Sequence, residues 1–586
     1  MSAANYPNLS ACFFGVAATR GDRPFLWAKR DGVWIATSWS EAAGIVSRMA
    51  RGLRAHGIEP GDRVALVSEN RPEWVLADLA ILTAGAVTVP AYTTNTVDDH
   101  RHILANSGAQ AVFVSNPTLA DPLLRACAAE NLFKIFTLEP WERTPSGFEI
   151  VQYAALQADG AAEPDHVQEW SQKAGRDDLA CIIHTSGTSG SPRGVMLSHG
   201  NILHASAAAE EILLMMGKVE EVFLSFLPMS HAYEYSCGRF LAIGIGAETY
   251  YAEGADALAR NMLEARPTVI ACVPRLMEVL HGRVVSSLKS MPPLRKKLFD
   301  AALRIGMQRY DDPSKLSLLD RLIDPILDRL VRKKVAARFG GRLRALVSGG
   351  APMNVEIGRF FYALGVPVFQ GYGQTEASPL IACNRPGMVR LDTVGPAIPG
   401  VEVKIADDGE ILVRGPNLML GYWRDEEATA AARRDGWLHT GDIGELDELG
   451  RLKITDRKKD MIIVSGGDNI SPAKVEGVMS LEPEIGQIMV YGDKHPYLVA
   501  LVVPDEAFVQ SHADADESAI AEALDKAIDR ANAKLSPLER VRRFAVAAEP
   551  FTIANGMMTP TLKVRRHVVK QVYGAQLEAL YERKRA

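Results

Sequence analysis

Leu179-Ala-Cys-Ile-Ile-His-Thr-Ser-Gly-Thr-Ser-Gly-Ser-Pro-Arg-Gly194 is an apolar run that empties into a loop of glycines and hydroxyls. The run predicts a strand. In the loop, glycines free backbone N–H groups to converge, Ser and Thr add donors, and Arg193 adds a positive charge, a combination that suits a polyphosphate. It is not a Walker A loop, because G-x-x-x-x-G-K-[ST] is required and the fifth residue after Gly187 is Pro192, with no Lys-Ser/Thr following. Upstream of it, helical apolar patterns over 39–58, 74–85 and 97–107 alternate with β-branched runs at 64–67, 87–89 and 111–115. That alternation predicts a parallel α/β sheet, and a second α/β series continues to about residue 380. Short β runs separated by turns then fill 401–455. The last 130 or so residues return to mixed α/β, with strands expected at 486–491 and 498–504.

The chain has 586 residues, 47% hydrophobic and 23% charged, so several domains of ordinary soluble composition are expected, and disorder and collagen-like structure are excluded. A net charge of −6 provides no global field for nucleic acid. The six cysteines are scattered without a CxxC pair or a Cys/His cluster at metal-ligand spacing, which predicts a reduced, cytoplasmic protein. No positive charge precedes Arg20 and no apolar signal region follows, so secretion is not expected. The longest apolar stretch, 79–94, is shorter than the roughly 20 residues of a membrane span.

Five further motifs accompany the 185–194 loop: Ser348-Gly-Gly-Ala-Pro-Met353, Gln370-Gly-Tyr-Gly-Gln-Thr-Glu376, Trp437-Leu-His-Thr-Gly-Asp442, Asp456-Arg-Lys-Lys-Asp460 and Asn555-Gly-Met-Met-Thr-Pro-Thr-Leu-Lys563. In order and spacing, over nearly the whole chain, the set resembles the adenylate-forming superfamily of acyl-CoA synthetases, firefly luciferase and peptide-synthetase adenylation domains. The resemblance implies an α/β fold. A large N-terminal domain, 1–456, would hold α/β subdomains and a small β-barrel-like subdomain at about 395–456, and a smaller, mobile α+β C-terminal domain would span 457–586. It also implies a two-step reaction in which a carboxylate attacks the α-phosphate of ATP and releases pyrophosphate, after which a thiol, usually that of CoA, displaces AMP.

The resemblance assigns roles residue by residue. Thr185, Ser186, Gly187, Thr188, Ser189, Gly190 and Arg193 would hold the β- and γ-phosphates, with Thr185 and Glu376 near Mg²⁺. Gly349, Gly350 and Ala351 would line the adenine, Gln370, Gly371 and Tyr372 would pack against it, and Thr375 would touch the α-phosphate. Asp442 would accept from the ribose hydroxyls with Arg457 as its partner. Lys563 would bridge the substrate carboxylate and the α-phosphate in the first step. Lys459 would be the hinge of a domain rotation that brings Ser465, Gly466 and Gly467 to line the thiol's route. Two departures stand out: Arg193 occupies a position where the family usually has lysine, and Asp468 replaces a more frequent glutamate.

Leu227-Pro-Met-Ser-His-Ala-Tyr-Glu234 and Val273-Pro-Arg-Leu-Met-Glu278 resemble the long-chain acyl-CoA synthetase versions of their motifs. By that resemblance His231 sits near the acyl carboxylate and Tyr235 gates the acyl tunnel. A long stretch, about 282–340, carries 14 basic and six acidic side chains and an apolar helical pattern at Leu319, Leu322, Ile326 and Leu330. Peripheral contact with a membrane surface and a solvated face on packed helices are both consistent with that pattern. A fatty acid–CoA ligase is therefore expected, long-chain favoured over medium-chain, using fatty acid, ATP, CoA and Mg²⁺. A fatty acyl-AMP ligase that loads a carrier-protein thiol and a non-catalytic fatty-acid binding or uptake protein are the alternatives. Oligomeric state is not specified.

Overall fold

A computed structural model describes residues 2–132, 134–142, 145–185, 192–466, 468–512, 517–559 and 562–582. Helices start where the sequence supplies caps. Ser38 accepts the N–H of Glu41 while the Glu41 carboxylate accepts that of Ser38, so Trp39–Ala55 begins with two orphan donors satisfied. Its inner face then buries Trp39, Ala42, Val46, Met49 and Leu53. The Val97–Ser107 helix opens on the same device at Thr96 and Asp99 and stops at Gly108, whose φ of 63° is the left-handed conformation that glycine adopts without strain.

Two eight-stranded sheets form the bulk of the chain. In the first, Val87–Ala91, Arg63–Val67, Ala111–Val114, Lys134–Thr137 and Glu149–Gln152 run parallel. Leu179–Thr185 joins that series parallel to Val87–Ala91 and then turns back antiparallel as Arg193–Ser198, the last pair in register being Thr185 with Arg193. The glycine-rich loop connects these two antiparallel strands, and its residues 186–191 lie outside the described residues. The second sheet carries Val222–Ser225, Glu248–Tyr251, Val269–Cys272, Ala345–Ser348 and Val368–Tyr372 in parallel. A hairpin from the N-terminal region, Pro24–Arg30 with Val33–Ser38, closes its far edge.

The helix Pro72–Thr83 lies between the sheets, touching strands of both, and all twelve of its residues are buried, which is why its sequence is apolar all round. Its mid-helix carboxylate, Asp78, meets Arg239 at 2.5 Å; Asp78 is wholly buried and Arg239 is 4% exposed. Tyr235 donates to the other Asp78 oxygen at 3.0 Å. The Arg239 guanidinium is stacked within 4.0 Å of the Tyr235 ring centre and 4.1 Å of Phe240, so its faces are covered by aromatic rings. This knot ties the first half of the domain to the second, because Arg239 and Tyr235 belong to a π-helix over Glu234–Phe240.

Residues 402–457 form an antiparallel sheet of five strands. The ten-residue strand Trp437–Leu446 gives one edge to Glu410–Arg414 and shares the other between Arg433–Arg434 at its start and Leu452–Arg457 at its end. The expected barrel-like unit is thus a sheet organised by one long strand. Beyond it the C-terminal part builds a separate three-stranded sheet, Ile485–Tyr491, Leu498–Pro504 and Val541–Val546, with its own core around Val475, Leu498, Ala500, Val502 and Leu524. Among the described residues, the hydrogen bonds that join it to the larger part include Arg275 to the Gly486 carbonyl at 3.3 Å, Asn354 to Gly477 at 2.5 Å and Ser471 to Thr455 at 3.2 Å. Among the described residues no helix is long and apolar enough to cross a membrane, and all six cysteines are buried and free.

Candidate active site

A cavity of about 2380 Å³ opens where the two eight-stranded sheets, the five-stranded sheet and the C-terminal part meet. Parallel strands deliver their C-terminal ends to it, as open α/β sheets do with ligand crevices. Gly349, Gly350 and Ala351 follow Ala345–Ser348, while Gln370, Gly371, Tyr372, Thr375 and Glu376 follow on Val368–Tyr372, and all of them line the cavity. A side chain at 349 would meet the Tyr233 ring at 3.2 Å, so glycine there lets the ring close onto the backbone, and Gly350 turns with φ of 79°. The Gln370 side-chain amide is engaged within the protein, donating to the Leu391 carbonyl at 2.5 Å.

Asp442 and Arg457 face each other across adjacent strands, in register. Arg457 Nε lies 3.2 Å from one Asp442 oxygen and the Tyr372 hydroxyl donates to the other at 2.7 Å. Each oxygen keeps a further lone pair for a ligand hydroxyl. Glu376 accepts from the Tyr422 hydroxyl at Oε1, 2.9 Å. Tyr422 in turn lies under the Arg193 guanidinium, 5.4 Å from the ring centre, and Arg193 Nε is 3.5 Å from Asp425. Tyr422 and Asp425, neither singled out by the sequence motifs, thus couple the expected metal acid to the expected phosphate cation. The Gly421–Tyr422 strand places them by pairing with Arg193–Ser198.

Lys563 enters this site from the C-terminal part. A bridge between Met558 and Val564 and reciprocal bonds between Lys563 and Thr559, at 2.8 and 3.1 Å, fix its backbone there. Burial first, and the Arg457 charge second, push its ammonium down to a pKa of about 8, with Asp442 opposing. His231 is held near 3, chiefly by burial and then by Lys563, and it stays neutral at any working pH. Its Nδ1 accepts the Tyr233 N–H at 3.2 Å, which leaves the proton on Nε2.

From this polar mouth an apolar limb runs inward. Ala209, Ile212, Leu213 and Met216, on and just beyond the His199–Leu214 helix, face Val269, Ala345, Val347 and Phe369 of the second sheet, with Cys237 and Leu241 beside them. Tyr235 is absent from this lining. The residue at the mouth is Tyr233, whose hydroxyl donates to the Val347 carbonyl at 2.9 Å, whereas Tyr235 is fully buried on Asp78 and is no gate. The expectation for Tyr235 fails because the π-helix that begins at Glu234 turns its side chain into the inter-sheet knot.

Lys459 lines the cavity in the turn where Asp460 and Met461 both donate to the Arg457 carbonyl at 3.0 Å, between the last strand of the five-stranded sheet and the C-terminal part. Ser465 and Gly466 are exposed and do not line the cavity; Gly467, like Ser186, Gly187, Thr188, Ser189 and Gly190, lies outside the described residues. No group of three or more His, Cys, Asp or Glu suited to a metal occurs among the described residues.

Parallel-strand ends around a large crevice, an acid anchored by Arg457 and Tyr372, and a partly buried lysine from the C-terminal part are the parts expected of an adenylate-forming site, and sequence comparison agrees. Residues 13–423 match the AMP-binding enzyme family and 459–585 match the AMP-binding enzyme C-terminal domain, so the chain belongs to the AMP-binding enzyme family. It is similar to the long-chain-fatty-acid–CoA ligase FadD15 of Mycobacterium bovis, with 33% identity over 94% of this chain and 93% of that one. The peroxisomal long chain acyl-CoA synthetase 6 of Arabidopsis thaliana is 32% identical over 93% of this chain and 81% of that protein. Among solved structures, the A domain of the Segniliparus rugosus carboxylic acid reductase, in complex with AMP and a co-purified carboxylic acid, shares the fold. Its TM-score is 0.79 at 22% identity, covering 99% of this chain and 95% of that one.

Proposed function

We propose that this protein is an AMP-forming ligase that activates a long-chain fatty acid with ATP and passes the acyl group to CoA. The observation that carries the reading is Lys563, partly buried near His231, Asp442 and Arg457 at the polar mouth of a limb lined by aliphatic side chains. In the first step a carboxylate oxygen bonds to the α-phosphorus of ATP and the bond to pyrophosphate breaks. Two anions must meet, so positioning and fixed cations supply the acceleration. Lys563 neutralises charge shared between carboxylate and α-phosphate, the neutral His231 offers its Nε2–H to the carboxylate, and Asp442 anchors the ribose. Arg193 and the hydroxyl loop hold the departing pyrophosphate.

Mg²⁺ fits this donor set, because it usually takes one or two carboxylates plus phosphate oxygens and water instead of an all-protein cage. Glu376, with one oxygen engaged by Tyr422, and Thr185 would hold it, and when bound it neutralises phosphate charge. In the second step the CoA sulfur bonds to the acyl carbon and AMP leaves. Ser465 and Gly466 face solvent in this arrangement, so a rotation about Lys459 has to carry them to the site. The domains are accordingly 1–456 and 457–586. A cytoplasmic enzyme with peripheral contact to lipid through residues 282–340 completes the reading.

The test is AMP formation from ATP and Mg²⁺ with carboxylates from acetate to oleate, with and without CoA. CoA-dependent turnover that rises with chain length supports the ligase. AMP release indifferent to CoA, with transfer to a carrier-protein thiol, replaces it by the acyl-AMP ligase.

Two results follow from the site. Ala209→Phe fills the apolar limb from a half-buried helix position; excluding the last two methylenes of a long chain, at about 0.8 kcal/mol each, should cut the kcat/KM ratio of long over medium acids by roughly tenfold or more. Steady-state kinetics with palmitate and octanoate check it. The pH profile gives the second. A lysine is charged below its pKa, so the first half-reaction should hold its rate below about pH 8 and fall as pH rises through that value, as read by pyrophosphate release.

A further inference from the structure

The segment that separates the Val273–Glu278 motif from Ala345–Ser348 folds as helices Pro293–Asp311 and Leu318–Leu327, the latter continuing through a π-turn at Asp328–Arg332 into Lys333–Arg338. One side of the Leu318–Leu327 helix is seated: Leu327 and Val331 are buried in the core, Asp320 pairs with Arg304 at 2.6 Å, and Asp324 pairs with Arg309 at 2.9 Å and with the buried Arg332 at 2.7 Å. The other side is bare. Leu318, Leu319, Leu322, Ile326 and Leu330 are 81%, 66%, 73%, 56% and 42% exposed, an apolar ridge about three turns long. Single exposed leucines mean little, but a ridge of five on one helix marks a contact surface. Around it stand Arg321, Arg329, Lys333 and Lys334, exposed and, among the described residues, in no ion pair, whereas the acids at 320 and 324 are turned inward and neutralised.

We propose that this ridge docks on an anionic lipid surface, the leucines and Ile326 entering the headgroup–acyl boundary and the basic rim meeting lipid phosphates. Charge chooses this occupant. A second copy seated by a two-fold contact would bring the same basic rim against itself, whereas an anionic bilayer complements both the apolar ridge and its cations. The ridge is seated against the core by ion pairs on its inner side, so it needs no refolding to bind. The proposal deepens the reading of the protein as a fatty acid ligase by naming the surface at which a poorly soluble acid is collected.

Vesicle sedimentation of the full chain, without substrates, tests it at low and at physiological salt. Wild type should co-sediment with vesicles containing phosphatidylglycerol and not with pure phosphatidylcholine. Leu319→Ser/Leu322→Ser and, separately, Arg329→Glu/Lys333→Glu should each lower the bound fraction at least tenfold while turnover of detergent-dispersed fatty acid stays at wild-type level, since none of these residues lines the cavity. Wild type that stays in the supernatant at low salt, or serine variants that bind like wild type, overturns the proposal. So does a dimer in gel filtration that the serine pair converts to monomer, which would assign the ridge to a second copy. Because binding is read without ATP or acid, loss of the ligase reading would show in AMP formation and not here.

Discussion

Lys563→Ala should slow acyl-adenylate formation by about 10²–10³, the scale on which removal of one preorganised electrostatic donor acts. The substitution leaves the adenylate's anchors in place, because Asp442 keeps Arg457 and Tyr372, and Gly349 and Gly350 keep their packing. ATP binding should therefore persist while pyrophosphate release collapses. The half-reactions separate the roles. Supplied with preformed acyl-adenylate and CoA, the variant should still make thioester near the wild-type rate, since the lysine's charge is required where two anions join and not where a neutral thioester forms. Equal loss in both half-reactions would assign Lys563 a structural role and remove it from the chemistry. The lowered pKa makes the same point from the other side: burial has already weakened the hold on the proton, so the charge is present at neutral pH at a cost that a polyanionic ligand offsets.

Asp78→Ala should destabilise the chain by about 3–5 kcal/mol, the usual penalty for orphaning one partner of a buried ion pair. The carboxylate is the only acid in the wholly buried Pro72–Thr83 helix apart from Glu73 at its start, and it holds both Arg239 and the Tyr235 hydroxyl. Its removal leaves a guanidinium enclosed by Tyr235, Phe240 and Trp74 with, among the described residues, no other carboxylate in ion-pair contact. Urea unfolding of Asp78→Ala, Arg239→Met and the double variant measures the coupling. The double variant should recover most of the loss, because an apolar side chain of similar length costs the core far less than an unpaired charge. If the double variant is as unstable as the sum of the singles, the pair is not what joins the two sheets.

Much of the frame was legible in the sequence because its signals are local. The strands at 498–504 and 111–114 follow from continuous apolar runs, and the helix at 97–107 from its apolar pattern. The site's backbone contributors were legible for a different reason: glycine-rich motifs after strands mark places where a chain must approach a ligand closely. What escaped depends on distance along the chain or on helical phase. Asp78 and Arg239 are 161 residues apart and no local pattern announces their meeting. Tyr422 and Asp425 reach the site only because a two-residue strand pairs at the edge of the first sheet. Tyr233 and Tyr235 differ by two positions, and a π-helix beginning between them decides which faces the cavity. Periodicity counted at 3.6 residues per turn has no means of anticipating that change.

The apolar limb has a calorimetric consequence. Its walls are aliphatic and aromatic carbon, so each methylene that enters removes nonpolar surface from water and makes the heat capacity of binding more negative. Plotted against the number of carbons, that quantity should descend in a straight line while the chain is still filling the limb and level off once further carbons project beyond it. The break in slope is then a thermodynamic reading of depth, taken without turnover, and its carbon number marks the longest acid that the walls alone distinguish.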